Sequence, residues 1–104
     1  MEPATKRRIP TTDRPDFTLF LGRALITPEA RGFLEGVQVA PAYLLARHAR
    51  SDWGDLTEEG HAMNRDALVE GGEVLSAYWV YDEVVLVVSD AKRSQTTVMM
   101  YAEY

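Results

Sequence analysis

The chain contains no cysteine, which removes disulfides and thiolate metal sites from consideration and fits a reducing cytoplasm. Its only histidines, His48 and His61, lack the four-residue spacing of a helical zinc pair, so neither a metal nor another cofactor is expected. No apolar run approaches the ~20 residues needed to cross a bilayer. The first sixteen residues are polar, basic and punctuated by proline, with no leader-like apolar core, so neither secretion nor a membrane partner is expected. Phosphate-binding and dinucleotide glycine loops, the nucleophile elbow, the HExxH helix and the EF-hand loop are all missing. Base is also scarce in one long stretch: from Asp52 to Asp90 there are ten acids, and Arg65 is the single base.

What is present describes one domain. With 104 residues, 46% of them hydrophobic, the chain supports one modest core. Met1–Asp16, with Lys6-Arg7-Arg8 and three prolines, reads as a flexible basic arm, and residues 17–104 as a single α+β domain. Net charge is −5, unevenly divided. Residues 1–51 hold eight bases and five acids, a net of +3; residues 52–104 hold three and eleven, a net of −8. A half this acidic repels nucleic acid at close range and attracts basic surfaces, although a solvated face serving solubility has the same composition.

Val84–Val88 is the one uninterrupted aliphatic run and reads as a strand covered on both faces, the centre of a sheet. The spacing predicts strands over Val74–Tyr81, Glu83–Ser89 and Gln95–Tyr101, joined too tightly for parallel crossovers and therefore an antiparallel meander. An earlier strand is predicted from Phe17 to Thr27, joining as an edge, with Gly22 at a bulge or close backbone approach. Three helix starts follow: Thr27-Pro28-Glu29, Pro41 and Thr57-Glu58-Glu59. The first helix turns Ala30, Phe33, Leu34 and Val37 inward and is capped near Gly36. The second turns Ala42, Leu45, Ala46 and Ala49 inward and ends after Trp53. The third runs through Ala62, Met63, Ala67 and Leu68 to Gly71-Gly72. The predicted order is β-α-α-α-β-β-β, an antiparallel sheet with helices packed on one face. A last strand at the border of that sheet would offer a route to a homodimer.

Few residues carry possible chemistry. His48 and Asp52 are four apart on a predicted helix, where a carboxylate would orient an imidazole for acid–base work. Packing of His48 with Trp53 under the loop, with Asp52 capping a turn, is the favoured account, since a lone histidine is weak evidence for catalysis. Arg93-Ser94-Gln95-Thr96-Thr97 offers a guanidinium beside hydroxyls, as phosphate or carboxylate recognition requires. Ordinary strand composition, with Arg93 paired to Asp90 or Glu83, accounts for the same residues. Tyr78, Trp79, Tyr81, Tyr101 and Tyr104 supply rings for packing or for an interface.

Arg47-His48, Asp52-Trp53-Gly54, Asn64, Gly71-Gly72, Ser76-Ala77-Tyr78, Arg93-Ser94, Thr96-Thr97 and Glu103-Tyr104 resemble, as a set, small bacterial proteins carried on plasmids, prophages and integrative elements. The resemblance covers roughly residues 20–104. It departs at Ser89-Asp90-Ala91-Lys92, where the family has Thr-Glu-Ala-Asp, and at Tyr101, where it has proline. It implies a mobile-element origin and transfers no activity.

Three functions are consistent with these residues. The first is a binding protein whose acids, Asp52, Asp55, Glu58, Glu59, Asp66, Glu70 and Asp90 with Arg93, dock on the basic groove of a protein or nucleoprotein complex. For a mobile-element protein that complex would be a defence machinery such as CRISPR-Cas or a restriction enzyme. The second is a metal-free ribonuclease toxin using His48 and Arg93, supported by Tyr78 or Thr96. The third is a plasmid or phage accessory protein that binds nucleic acid through the basic arm. Binding without catalysis leads the three.

Overall fold

The computed structural model describes residues 18–104. In chain order the elements are β1 (Arg23–Ile26), α1 (Pro28–Val37), α2 (Pro41–Ala49), α3 (Glu58–Glu70), β2 (Val74–Val80), β3 (Glu83–Ser89), β4 (Gln95–Met100) and a closing 3-10 turn (Tyr101–Glu103). The fold is α+β in the order β-α-α-α-β-β-β. Its four strands lie in the order β1-β4-β3-β2. β2, β3 and β4 form the antiparallel meander, while β1 runs parallel to β4, so the sheet is mixed. Among the described residues no helix is long and apolar enough to cross a membrane. The predicted arm lies outside the described residues.

Alternation sets the two faces of the sheet. Val74, Ser76, Tyr78 and Val80 of β2 share the inner face with Val85, Val87 and Ser89 of β3 and with Thr96 and Val98 of β4. Ala30 and Leu34 of α1 and Leu44 of α2 cover that face, closing a core in which Tyr78, Val85, Val87 and Val98 are fully buried. β3 is buried on both faces from Val85 to Val88, as its composition predicts. α3 stands apart from the other two helices. It runs along the β2 border, where the Asn64 side-chain amide both donates to Leu75 O (2.7 Å) and accepts from Leu75 N–H (3.0 Å).

The helix starts follow the sequence. Thr27 Oγ1 accepts from Ala30 N–H at 3.1 Å, and Thr57 Oγ1 accepts from Gly60 N–H at 3.1 Å; α2 begins at Pro41 with no side-chain cap. Several details differ. The first strand starts at Arg23 rather than Phe17: Gly22, at φ 68°, comes so close to Ser94 that a Cβ would collide with its carbonyl, and pairing with β4 begins beyond that point. The close approach expected at Gly22 is therefore to the turn before β4. α1 passes through Gly36 and is capped by Gln38 in the left-handed region (φ 61°).

α2 ends at Ala49 rather than beyond Trp53, and it turns Leu44, His48 and Ala49 inward while Ala42 and Ala46 face out. The larger Leu44 and the hydrogen-bonding His48 fill the space over the sheet better than the alanine stripe would. In α3, Met63 is exposed and Asn64 takes the buried position, because Asn64 meets the backbone of β2. Finally, β4 lies between β1 and β3, so the last strand is not a border and offers no route to a dimer.

Candidate functional site

Two sets of residues concern function, one inside the fold and one on its surface. The inner set centres on His48, which is fully buried in the last turn of α2. Its Nδ1 lies 2.6 Å from Ser76 Oγ on β2, and its Nε2 lies 2.9 Å from Ser89 Oγ on β3. Ser89 Oγ is 2.6 Å from Thr96 Oγ1 on β4, and Thr96 Oγ1 donates to Leu21 O at 2.7 Å.

Those contacts fix every proton in the chain. Leu21 O only accepts, so the single Thr96 hydroxyl proton is directed there. Thr96 Oγ1 must then accept from Ser89, whose oxygen accepts from His48 Nε2–H. Nδ1 is left bare and accepts from Ser76. The imidazole is the neutral Nε2–H tautomer, and burial, with Arg93 nearby, lowers its pKa to about 4. A base for a 2′-hydroxyl needs a ring nitrogen open to substrate, and both are occupied here.

The other candidates for ribonuclease chemistry are equally engaged. Tyr78 is buried, donates its hydroxyl to Asp52 O at 2.6 Å, and titrates near 12 chiefly because burial disfavours the phenolate. Thr96 is fully buried. Arg93 is half-buried and sits in the β3–β4 turn at φ 57°. Its guanidinium donates to Gly72 O (2.5 Å), Asp90 O (2.8 Å) and Ala67 O (3.2 Å). It therefore supplies the C-terminal end of α3, which has no basic residue in its last turn, with a positive charge.

His48 and Asp52 do not pair. Asp52 lies beyond the end of α2, where the Arg47 guanidinium grips its carboxylate at 2.7 and 3.1 Å. That bond, opposed by partial burial, raises the Arg47 pKa. The same guanidinium stacks 4.4 Å above the Tyr78 ring. Beyond it Gly54, at φ 77°, lies so close to β2 that a Cβ would strike Ala77 O. Asp90 accepts from the N–H groups of Ser94 (2.7 Å) and Gln95 (3.2 Å) and from the Ser94 hydroxyl, and that hydroxyl most strongly holds its carboxyl below the usual range. Asp55 is exposed, and its Oδ2 accepts from Trp79 N–H at 3.1 Å. Asp52, Asp55, Asp90 and Arg93 thus all serve the architecture.

Glu58, Glu59, Asp66 and Glu70 form the surface set. All four are exposed on α3 and make no ion pair among the described residues. Glu59, Asp66 and Glu70, at i, i+7 and i+11, share one helix face with Met63, which is 70% exposed. That face borders a groove of 390 Å³ between α3 and the start of β2. Met63, Ala67, Leu75 and Tyr104 give the groove apolar walls, while Asp66, Glu70 and Glu73 give it an acidic rim. Tyr104 donates its hydroxyl to Glu73 Oε1 at 2.6 Å, and this bond to a carboxylate raises the phenol pKa.

The sequence marks neither Met63 nor Glu73 as a binding residue, and Tyr104 only as one of five rings for packing or an interface. The i, i+3, i+4, i+7 spacing of Met63, Asp66, Ala67 and Glu70 was the available signal, but only the path of the chain's end brings Tyr104 beside them. Among the described residues no cluster of His, Asp and Glu side chains could hold a metal ion. No protein-family model, curated protein or solved structure matches the chain.

Proposed function

We propose that this chain is a non-catalytic binding protein of a mobile element, and that the acids of α3 and the adjoining groove dock on a basic surface of a host defence complex. One observation carries the reading. Asp66 and Glu70 stand in the C-terminal half of α3, where the helix dipole disfavours negative charge, and neither makes an ion pair among the described residues. Carboxylates that cost the helix stability while lining an apolar groove suit a cationic partner with an apolar anchor. The resemblance to plasmid and prophage proteins supports a CRISPR-Cas effector or a restriction enzyme as that partner, since both hold nucleic acid in basic channels.

The test is direct binding of the purified chain to a panel of such complexes, at low and high salt. Submicromolar binding that weakens steeply with salt is the expected result. An Asp66→Lys/Glu70→Lys variant should bind at least tenfold more weakly with its fold intact. Absence of binding across the panel, or indifference to the double reversal, sinks the proposal. The ribonuclease reading gains nothing from a sealed His48, and the accessory reading rests on an arm outside the described residues.

A further inference from the structure

The two borders of the sheet are treated differently. At one border, β2 turns the backbone groups of Leu75, Ala77 and Trp79 away from β3. Asn64 meets both groups of Leu75. Trp53 O accepts from Ala77 N–H at 3.0 Å, Asp55 N–H donates to Ala77 O at 2.7 Å, and the Asp55 carboxylate accepts from Trp79 N–H. Five of those six outward groups are therefore satisfied within the chain.

β1 forms the other border. Arg23 N–H donates to Ser94 O and Thr27 N–H donates to Val98 O, both at 3.0 Å, so Arg23, Leu25 and Thr27 bond β4. In a parallel ladder the alternate residues, Ala24 and Ile26, then turn their N–H and C=O groups outward. Among the described residues nothing meets them. Such a row is a template for an added strand.

We propose that β1 pairs antiparallel with β1 of a second copy of this chain, joining two four-stranded sheets into one of eight strands. The register places the two-fold axis at Leu25. Ala24 then faces Ile26 of the second copy and exchanges two hydrogen bonds with it, twice over by symmetry. Arg23 faces Thr27, so no like charges are opposed. The charge distribution favours this partner: the acids of α3 lie at the opposite border, so the acidic borders of the two copies stand roughly 30 Å apart, well beyond a Debye length. The strand is short, so association is weak and concentration-dependent. This inference stands whether or not the acidic face binds a partner. Where it does, the dimer presents two such faces on one rigid sheet, and avidity follows.

Sedimentation equilibrium of the full chain from micromolar to millimolar concentration tests the proposal. A reversible monomer–dimer equilibrium is expected, with Ala24 and Ile26 amides protected from hydrogen exchange only at high concentration. Ala24→Pro removes an outward N–H and no bond to β4, and a border strand tolerates proline. It should weaken dimerisation at least tenfold with an unchanged circular dichroism spectrum. Ala24→Lys, which keeps the backbone intact, should do the same and guards against a folding defect in the proline variant. A monomer at every concentration overturns the proposal, as does a dimer indifferent to both substitutions. A dimer that forms only after residues 1–16 are deleted also overturns it, by making the chain's own arm the occupant of the border.

Discussion

Around His48, four side chains on one helix and three strands direct every proton to a neighbour, whereas along α3 four carboxylates make no ion pair among the described residues. In composition the first group looks like chemistry and the second like ordinary solubility. Their geometry reverses that impression. A buried network with all partners present holds elements in register, and its members lose reactivity as they gain partners. Asp66 and Glu70, in the C-terminal half of α3 beside an apolar groove and without an ion pair among the described residues, are open to something outside. In this fold, hydrogen-bond geometry rather than residue type shows which polar groups the structure itself consumes.

The comparison breaks most visibly at His48. His48→Ala leaves a cavity and strands the hydroxyls of Ser76 and Ser89, and should cost roughly 3–5 kcal/mol in urea unfolding. A loss below about 1 kcal/mol would mean the network is not a keystone of the fold. Acid probes the same site without mutation. His48 binds its proton near 6.5 in the unfolded chain and near 4 in the fold. Between those values the unfolded chain holds more protons, so stability is complete above pH 6.5 and declines as pH falls toward 4. The decline attributable to this group approaches roughly 3 kcal/mol, and a His48→Gln variant should lack it. Equal slopes for the two proteins would contradict the neutral tautomer.

At the outer set the sign reverses. Glu70→Gln removes a negative charge from the C-terminal end of α3 and should raise stability by about 0.3–1 kcal/mol, read as a small upward shift in Tm. Destabilisation would show that Glu70 has a structural partner after all.

Much of this architecture was legible because its signals are local. Thr27-Pro28, Pro41 and Thr57 start helices through caps and fixed φ, and the aliphatic run of Val84–Val88 identifies a central strand by composition. The pairing of β1 was not legible. Alternation tells a strand which face to bury but says nothing about which neighbour it meets, and the parallel β1–β4 contact joins residues about seventy positions apart. The partners of His48 were hidden for a similar reason. Ser76 and Ser89 stand 28 and 41 residues away, so only the nearby Asp52 was visible, and that carboxylate belongs to Arg47. The acids of α3 could be read as a face because helical spacing is short-range, but the groove depends on Tyr104 arriving from the far end of the chain.

The ordered hydroxyls have a spectroscopic consequence. Serine and threonine O–H protons ordinarily exchange with water too quickly to be seen. Those of Ser76, Ser89 and Thr96 are sealed beneath α2 with a fixed acceptor each, and should give discrete resonances coupled through space to the imidazole Nε2 proton. Their fading in deuterated solvent would time how often the second helix lifts from the sheet, a clock for breathing motions that needs no label.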